Sequence, residues 1–301
     1  MNRGPNLFVI GATKCGTTLF HDLLDQHPDI FMSRPKELWH FNRTDYLDNE
    51  QSYLSHFSAG AGFPVRGEST PIYAETLTFP HVPAALRDFC PSAKIIYLVR
   101  EPFSRFRSQW RQTLDSGHWA KDTFYEKRMP PSYREAVFSH PPFLVASRYW
   151  TNLQNFRRHF PDDAIKVLLF EEFIKDPVAC IKNVFSFLGV DASLGVDPAV
   201  GNPNSSAGKS VYSPITSWVR RTVPLELRQI VPLRLRQTVR DAINGLTAPE
   251  FDHSELSSED VESLKRTLRP EVQGLYAYLG IEDDPWNFLG GTRNRRSDRK
   301  S

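Results

Sequence analysis

Runs of apolar residues alternate along this chain with segments whose apolar positions recur at helical spacing. Three of the runs predict buried β-strands, at Leu7–Ile10, Lys94–Val99 and Ile165–Phe170. Such alternation is typical of an α/β protein, in which helices cover a mostly parallel sheet. The 301 residues are enough for one large core. We therefore expect a single domain over residues 1–301 with a three-layer α/β/α architecture.

Helices are predicted from apolar spacing and from start signals. A helix over Ser147–Phe160 is predicted because four large residues share one face: Trp150, Leu153, Phe156 and Phe160. Proline suits the first helical position, so Asp176-Pro177 predicts a helix start. Ser257 and Asp260 resemble a capping box, which predicts C-terminal helices over 257–289.

Three segments differ from the rest of the chain in composition and periodicity; the predicted core spans about residues 6–190. Residues 115–145 are rich in proline and aromatics with weak periodicity, so we expect a long loop that contributes to a substrate mouth. Residues 212–246 hold six arginines against two acidic residues, with aliphatic residues between them. They predict either a surface for an acidic or amphiphilic partner, a membrane face included, or a pair of ordinary amphipathic helices. Residues 291–301 are expected to be a disordered tail.

Composition excludes several classes of function. The net charge of +2 gives no overall field for nucleic acid. The three cysteines are far apart and suit neither a disulfide framework nor a metal site, which is typical of a reducing compartment. No apolar run approaches the roughly 18 residues of a membrane span. With a core strand predicted so near the first residue, we expect a soluble, cytoplasmic protein.

The strongest chemical signal follows the first predicted strand. There a short loop leads into a helical pattern, and its residues are Gly11, Ala12, Thr13, Lys14, Cys15, Gly16, Thr17 and Thr18. Backbone N–H groups and the positive end of the helix dipole favour an anion at such a turn. The loop therefore predicts a P-loop-like core that binds a phosphate group.

The position of the lysine separates this loop from those that bind ATP or GTP. Those loops read G-x-x-x-x-G-K-[ST], whereas here Thr17 follows Gly16 and the lysine is Lys14. The strand at 94–99 ends in Arg100, not in the aspartate that helps to hold magnesium. We expect an anion that is bound by protein groups directly, with no metal required.

Arg100 predicts a second anion site. A guanidinium at the carboxyl end of a strand meets an anion directly, and Ser108 follows eight residues later in a predicted helix. Together they could hold a second phosphate. The alternative is a surface ion pair beside a serine that faces solvent.

The two sites together resemble a known family, the sulfotransferases that use 3′-phosphoadenosine 5′-phosphosulfate (PAPS). The loop is similar to that family's 5′-phosphosulfate loop, and Arg100-Glu101-Pro102 with Ser108 is similar to its 3′-phosphate motif. Further segments resemble its Golgi-type and bacterial carbohydrate branch: Pro35–Phe41, Gly67–Tyr73, Phe170–Phe173 and Phe187–Gly189. The resemblance covers about residues 6–190.

The resemblance implies a reaction and roles for several residues. It implies transfer of the sulfuryl group from PAPS to a hydroxyl or amine, in a carbohydrate, glycolipid or other small molecule, leaving adenosine 3′,5′-bisphosphate (PAP). Lys14 is expected at the bridging oxygen. Glu37 corresponds to the branch's catalytic base, and His40 is the second candidate, since cytosolic sulfotransferases use a histidine.

Other positions carry weaker expectations. Tyr149 resembles a family tyrosine near the nucleotide, or else packs in the core. Lys209 lies where a third PAPS-contacting loop is expected. Cys15 either has a lowered pKa at the helix start or is only a small loop residue. Some relatives carry a lysine where this chain has Ser69, so a second catalytic lysine is not supplied.

Two other functions remain open at this point. A P-loop kinase or other phosphate-transfer enzyme would require a lysine at position 17 and an acidic magnesium ligand. A non-catalytic nucleotide-binding adaptor would keep the fold and use residues 212–246 for a partner. Retention of Lys14 together with a candidate base favours the transferase.

Overall fold

A computed structural model describes residues 4–116, 130, 132–199 and 254–290. In these residues one sheet of five parallel strands forms in the order β2-β3-β1-β4-β5. The strands are β1 (Leu7–Gly11), β2 (Ile30–Met32), β3 (Val65–Ser69), β4 (Lys94–Val99) and β5 (Ile165–Leu169). This arrangement confirms the predicted α/β class, with a sheet that is wholly parallel.

Helices connect and flank the strands. In the described residues they are α1 (Thr17–Leu24), α2 (Glu50–Ser55), α3 (Val82–Phe89), α4 (Pro102–Ser116), α5 (Tyr133–Ser139), α6 (Pro141–Val145), α7 (Tyr149–Arg157), α8 (Phe170–Lys175), α9 (Pro177–Leu188) and α10 (Ser258–Leu279). Short 3-10 turns occur at 46–49, 58–60, 71–74 and 162–164.

The topology places a crevice at one point of the sheet. β1 and β4 are neighbours, but the chain leaves β1 towards β2 on one side and leaves β4 towards β5 on the other. Ligands of open parallel sheets bind outside the carboxyl ends of the strands at such a switch point. The loop after β1 and Arg100 after β4 therefore begin at the place where the fold favours a ligand.

Two strands were missed by hydrophobic pattern alone. β2 has only three residues, and β3 reads Val-Arg-Gly-Glu-Ser, which is too polar to predict a buried strand. In the structure Glu68 and Ser69 are nevertheless fully buried. Side-chain hydrogen bonds, which no periodicity reveals, make that burial tolerable.

The predicted loop over 115–145 is wrong where the structure describes it. Residues 117–129 and 131 lie outside the described residues, but α4 runs to 116 and residues 132–145 form α5 and α6. The side chain of Ser132 accepts the N–H of Glu135 at 3.0 Å, which caps α5. Tyr133, Ala136 and Val137 are buried at helical spacing.

The C-terminal helix confirms its predicted start. The Ser257 hydroxyl accepts the N–H of Asp260 at 3.1 Å, and the Asp260 carboxylate accepts the N–H of Ser257 at 3.3 Å. α10 packs against α7. Beyond it, the indole N–H of Trp286 donates to Glu171 in α8 at 2.9 Å, so the C-terminal segment reaches the site edge of the sheet.

Close packing of α10 on α7 gives a stability prediction. A Cβ at Gly274 in α10 would overlap the indole ring of Trp150 in α7. Gly274→Ala should lower the free energy of unfolding by about 1–3 kcal/mol through overpacking, although alanine favours helix by about 1 kcal/mol. Denaturant unfolding measures this. Gly195→Ala is the control, because its Cβ would meet nothing within 4 Å. Equal stability of the two variants would contradict the prediction.

Candidate functional site

The loop between β1 and α1 exposes a helix N-terminus at the switch point. α1 begins at Thr17, its N-cap Gly16 has φ of 79°, and no side chain among the described residues caps it. The first N–H groups of such a helix have no partner within the helix, and the dipole favours negative charge there. Thr17 is buried and Thr18 half-buried. The loop can therefore bind an oxyanion through its backbone.

Gly16 is required by close packing as well as by its dihedral angle. A Cβ at this position would lie 2.8 Å from Cε2 of Phe170, the first residue of α8. The same ring lies under the Arg100 guanidinium, 4.4 Å from Cζ to the ring centroid. Phe170 thus packs against both predicted anion sites, and only glycine leaves room for it.

Lys14 lies at the centre of the loop in a left-handed conformation. Its φ is 71°, which costs a non-glycine residue on the order of 1 kcal/mol. Its carbonyl oxygen accepts a hydrogen bond from Nη1 of Arg100 at 3.2 Å. The arginine after β4 thereby holds the backbone of the lysine after β1, so the structure brings the residues of the two predicted sites together.

One hydrogen-bond donor of Arg100 remains available. Its Nε is buried and has no hydrogen-bond partner among the described residues. A buried N–H of a charged group without a partner is costly, and a bound anion would satisfy it. The hydroxyl of Tyr149 donates to the carbonyl oxygen of Arg100 at 2.7 Å. Tyr149 is fully buried, so it reaches the site through Arg100.

Arg105 is a residue of this region that sequence reasoning missed. Its guanidinium is fully buried in α4, where Nε donates to the hydroxyl of Ser147 at 2.7 Å and Nη1 to Gln109 at 2.6 Å. Nη2 donates to the carbonyl oxygen of Phe143. These bonds fix the segment before α7, which begins at Tyr149. Neutral acceptors from several parts of the chain satisfy this buried charge, so no sequence motif signals its role.

Ser108 lies two turns into α4 and is half-buried. The start of α4 is fixed by Glu101, whose carboxylate accepts the N–H groups of Phe103 at 2.9 Å and Ser104 at 2.6 Å. A carboxylate at a helix N-terminus stabilises the helix. Arg100 and Ser108 are thereby connected by one rigid element, and their joint contact with a phosphate stays a prediction.

The two candidate bases lie in different environments. Glu37 is exposed and pairs with Lys36, with 2.6 Å between Oε1 and Nζ. His40 is buried, and its ring stacks on Tyr53 with 4.0 Å between centroids. Burial lowers the pKa of His40 to about 4, so the imidazole is neutral at pH 7. Only Glu37 presents its functional group to solvent.

The surroundings of two further loop residues, Cys15 and Thr13, show what each does in the loop. Burial raises the pKa of Cys15 to about 12, so the alternative of a lowered pKa is wrong and Cys15 is a small buried loop residue. The hydroxyl of Thr13 donates to Oε1 of the buried Glu75 at 3.4 Å. The buried Cys15 and the bond from Thr13 to Glu75 both fix the loop against the core, and neither side chain occupies the loop's backbone N–H groups.

A buried histidine and serine also meet beneath the site. Nδ1 of His21, in α1, lies 2.9 Å from the hydroxyl of Ser69 at the end of β3. Burial lowers the pKa of His21 to about 3. A neutral imidazole can bond to the Ser69 hydroxyl without placing a buried charge there. Sequence reasoning missed His21, since a single histidine on a helix carries no motif.

Some predictions fall outside the described residues. These are Lys209, the basic segment 212–246 and the tail 291–301. In the described ranges no cluster of three or more His, Cys, Asp or Glu residues is arranged to hold a metal ion. Among the helices that the structure describes, none is both long and apolar enough to cross a membrane.

Comparison with known proteins finds a family and individual relatives that match part of this chain. Residues 4–205 match the sulfotransferase domain family. The membrane-associated sulfotransferase kil1 of Dictyostelium discoideum is 33% identical over 120 residues, which are 39% of this chain and 24% of that protein. The bifunctional heparan sulfate N-deacetylase/N-sulfotransferase 2 of Bos taurus is 27% identical over 207 residues, 64% of this chain and 23% of that protein.

A further relative and a solved structure are also sulfotransferases. Heparan sulfate glucosamine 3-O-sulfotransferase 6 of Mus musculus is 26% identical over 198 residues, 62% of this chain and 53% of that protein. The chain thus matches between about a quarter and a half of the length of these relatives. The crystal structure of a sulfotransferase from Alicyclobacillus acidocaldarius has the same fold, with a TM-score of 0.63 at 22% identity over 94% of this chain and 98% of that one.

His21 gives a pH-dependent prediction. In the unfolded chain its pKa is about 6.5, so the unfolded state takes up a proton that the folded state refuses. The stability from neutral His21 is complete above pH 6.5 and is lost as the pH falls towards about 3, at about 1.4 kcal/mol per pH unit. His21→Gln should remove this slope. As the pH falls from about 6 to 4, the free energy of unfolding of His21→Gln minus that of the wild type should therefore increase steadily. Parallel plots of the two free energies against pH would contradict the prediction.

Proposed function

The chain belongs to the sulfotransferase domain family, and we propose that it transfers the sulfuryl group from PAPS to a hydroxyl or amine of a carbohydrate. The hydrogen bond from Arg100 to the Lys14 carbonyl carries the proposal, since it joins the residues of the two predicted anion sites at the switch point of the sheet. PAPS carries a phosphosulfate on the 5′ carbon and a phosphate on the 3′ carbon of its ribose, which suits two neighbouring anion-binding groups.

The residues of the chain fit both anionic groups. The uncapped N-terminus of α1 and the loop backbone would hold the 5′ phosphate, with hydroxyls from Thr17 and Thr18. Arg100, whose buried Nε lacks a partner among the described residues, would hold the 3′ phosphate with Ser108. Lys209, which lies outside the described residues, is proposed to complete this second contact. Tyr149 positions Arg100 through its carbonyl.

Catalysis would rest on positioning and charge. When bound, PAPS supplies a sulfuryl group whose bond to the phosphate oxygen breaks as the acceptor oxygen or nitrogen attacks. Lys14 would neutralise the charge that develops on that bridging oxygen. The strained backbone of Lys14, held by Arg100, fixes where the lysine side chain begins.

Glu37 is the proposed general base. Its carboxylate is exposed, in the segment that follows the carboxyl end of β2, and a general base must be open to the acceptor. His40 is buried and its pKa is lowered to about 4, so it is a weak base in a closed environment. Its contact with Lys36, 2.6 Å between Oε1 and Nζ, places a cation beside the carboxylate of Glu37.

A carbohydrate acceptor is supported by the relatives, two of which are named as heparan sulfate sulfotransferases. The matched part is a fraction of those proteins, so the sugar, the position sulfated and the partners are proposals for this chain. A cytoplasmic location and a membrane or acidic partner for residues 212–246 also remain predictions. The test of the proposal is transfer of labelled sulfate from PAPS to heparan-derived oligosaccharides, with EDTA present.

Removal of Arg100 should weaken nucleotide binding. Arg100→Ala removes a charge-assisted hydrogen bond, so the Kd of PAP should rise about ten- to a hundredfold, or about 1.5–3 kcal/mol. Calorimetry in EDTA measures this. Arg107→Ala is a matched control, because Arg107 is a nearby arginine in α4 whose guanidinium pairs with the exposed Glu255. An unchanged Kd for Arg100→Ala would remove Arg100 from the site.

Substitution of Lys14 should separate chemistry from binding. Lys14→Ala should lower kcat by a factor of about 100 or more while the Kd of PAP changes much less, because the charge is needed mainly in the transition state. An unchanged kcat would exclude the catalytic role of Lys14.

The base is tested by a pair of variants. Glu37→Gln should lower kcat by a factor of about 100 to 10,000, the usual contribution of a general base. His40→Asn should retain near-normal kcat with saturating acceptor if the protein folds. The opposite order would assign the proton transfer to His40.

A further inference from the structure

One buried acid of the site region has no part in the proposed chemistry. Glu68 lies in β3, one residue before its end at Ser69, and its side chain is fully buried. Its Oε1 accepts the hydroxyls of Tyr53 at 2.5 Å and Tyr73 at 3.3 Å, and its Oε2 accepts the hydroxyl of Thr70 at 2.9 Å. A buried carboxyl group with three hydroxyl donors is a junction that other elements depend on.

The two tyrosines lead from Glu68 to the loop that carries the proposed base. The hydroxyl oxygen of Tyr73 accepts the backbone N–H groups of His40 at 3.0 Å and Phe41 at 3.2 Å. The ring of Tyr53 stacks on the ring of His40, with 5° between the planes. Backbone and side chain at the end of the 36–41 segment are therefore both fixed by groups that Glu68 holds.

The 36–41 segment needs such support, because its proposed base, Glu37, makes few contacts that would fix its position. Glu37 is exposed, and its contact with Lys36 joins two adjacent residues. Trp39, between the base and the anchored His40, is 38% exposed and has φ of 51°, a strained conformation for a bulky residue. A strained, exposed segment keeps one conformation only when its surroundings determine it.

We propose that Glu68 is a positioning residue, which fixes the 36–41 segment through Tyr53 and Tyr73 and so holds Glu37 where the acceptor binds. This rests on the proposed function, because it assigns Glu37 the role of base. Burial raises the pKa of Glu68 to about 7, and the three hydroxyl donors oppose that shift. The network thus supports an acid that would otherwise be costly to bury.

Amide hydrogen exchange tests the anchoring without reference to activity. Tyr73→Phe removes only the hydroxyl, so exchange at the amides of His40 and Phe41 should become about tenfold faster, while the amides of β1 and β4 keep their rates. Tyr276→Phe is the matched control, since Tyr276 is also a buried tyrosine with a hydroxyl bonded to a carboxylate, that of Asp284 at 3.3 Å. Unchanged exchange in Tyr73→Phe would overturn the proposal.

Kinetics test the positioning. With PAPS and a heparan-derived oligosaccharide, Tyr73→Phe should lower kcat about tenfold or more, while the Kd of PAP stays within about twofold. Glu68→Gln keeps an acceptor oxygen and should retain more kcat than Glu68→Ala; where Glu68→Ala does not fold, Tyr73→Phe decides alone. A parallel loss of PAP binding, or an unchanged kcat, would overturn positioning.

The two experiments separate this proposal from the proposed function. If the wild type transfers no sulfate to the oligosaccharide but Tyr73→Phe accelerates exchange at His40 and Phe41, the acceptor assignment fails and the anchor stands. If the wild type is active and exchange is unchanged in the variant, the anchor fails and the sulfotransferase activity stands.

Discussion

One hydrogen bond organises the site: Arg100, after β4, donates to the carbonyl oxygen of Lys14, after β1. It crosses the switch point of the sheet and fixes a left-handed lysine next to a helix N-terminus. Phe170 packs against both sides of this contact, and Tyr149 holds Arg100 from behind. Because these groups come from four separate parts of the chain, the site forms only when the parallel sheet has formed.

Buried polar groups do the supporting work around this contact. Arg105 is satisfied by neutral oxygens and Glu68 by three hydroxyls, and Nδ1 of His21 is paired with Ser69. Each is buried without an ion pair among the described residues, so geometry, not charge neutralisation, makes its burial tolerable. Such networks are stiff, since losing one member leaves the others unsatisfied. Stiffness suits sulfuryl transfer, where the protein contributes mainly position and preorganised charge.

Hydrophobic pattern and motif spacing predicted the elements whose signals lie in neighbouring residues. The strand at 94–99, the helix starts at Pro177 and Ser257, and the loop at 11–18 all follow from neighbouring residues. β3 was missed because its polar Glu68 is buried, and the hydrogen bonds from Tyr53 and Tyr73 that make this tolerable leave no hydrophobic pattern. The helical spacing at 133–137 was obscured by neighbouring prolines. The link between Arg100 and Lys14 spans 86 positions, which no spacing rule reaches.

Calorimetry of the wild-type protein with PAP and with ADP, both in EDTA, tests the central claim most directly. The account predicts micromolar binding of PAP without metal and much weaker binding of ADP, because only PAP offers the 3′ phosphate that Arg100 would bind. Equal binding of the two nucleotides, or binding of ATP alone and only with magnesium, would contradict a site built from two linked anion-binding groups.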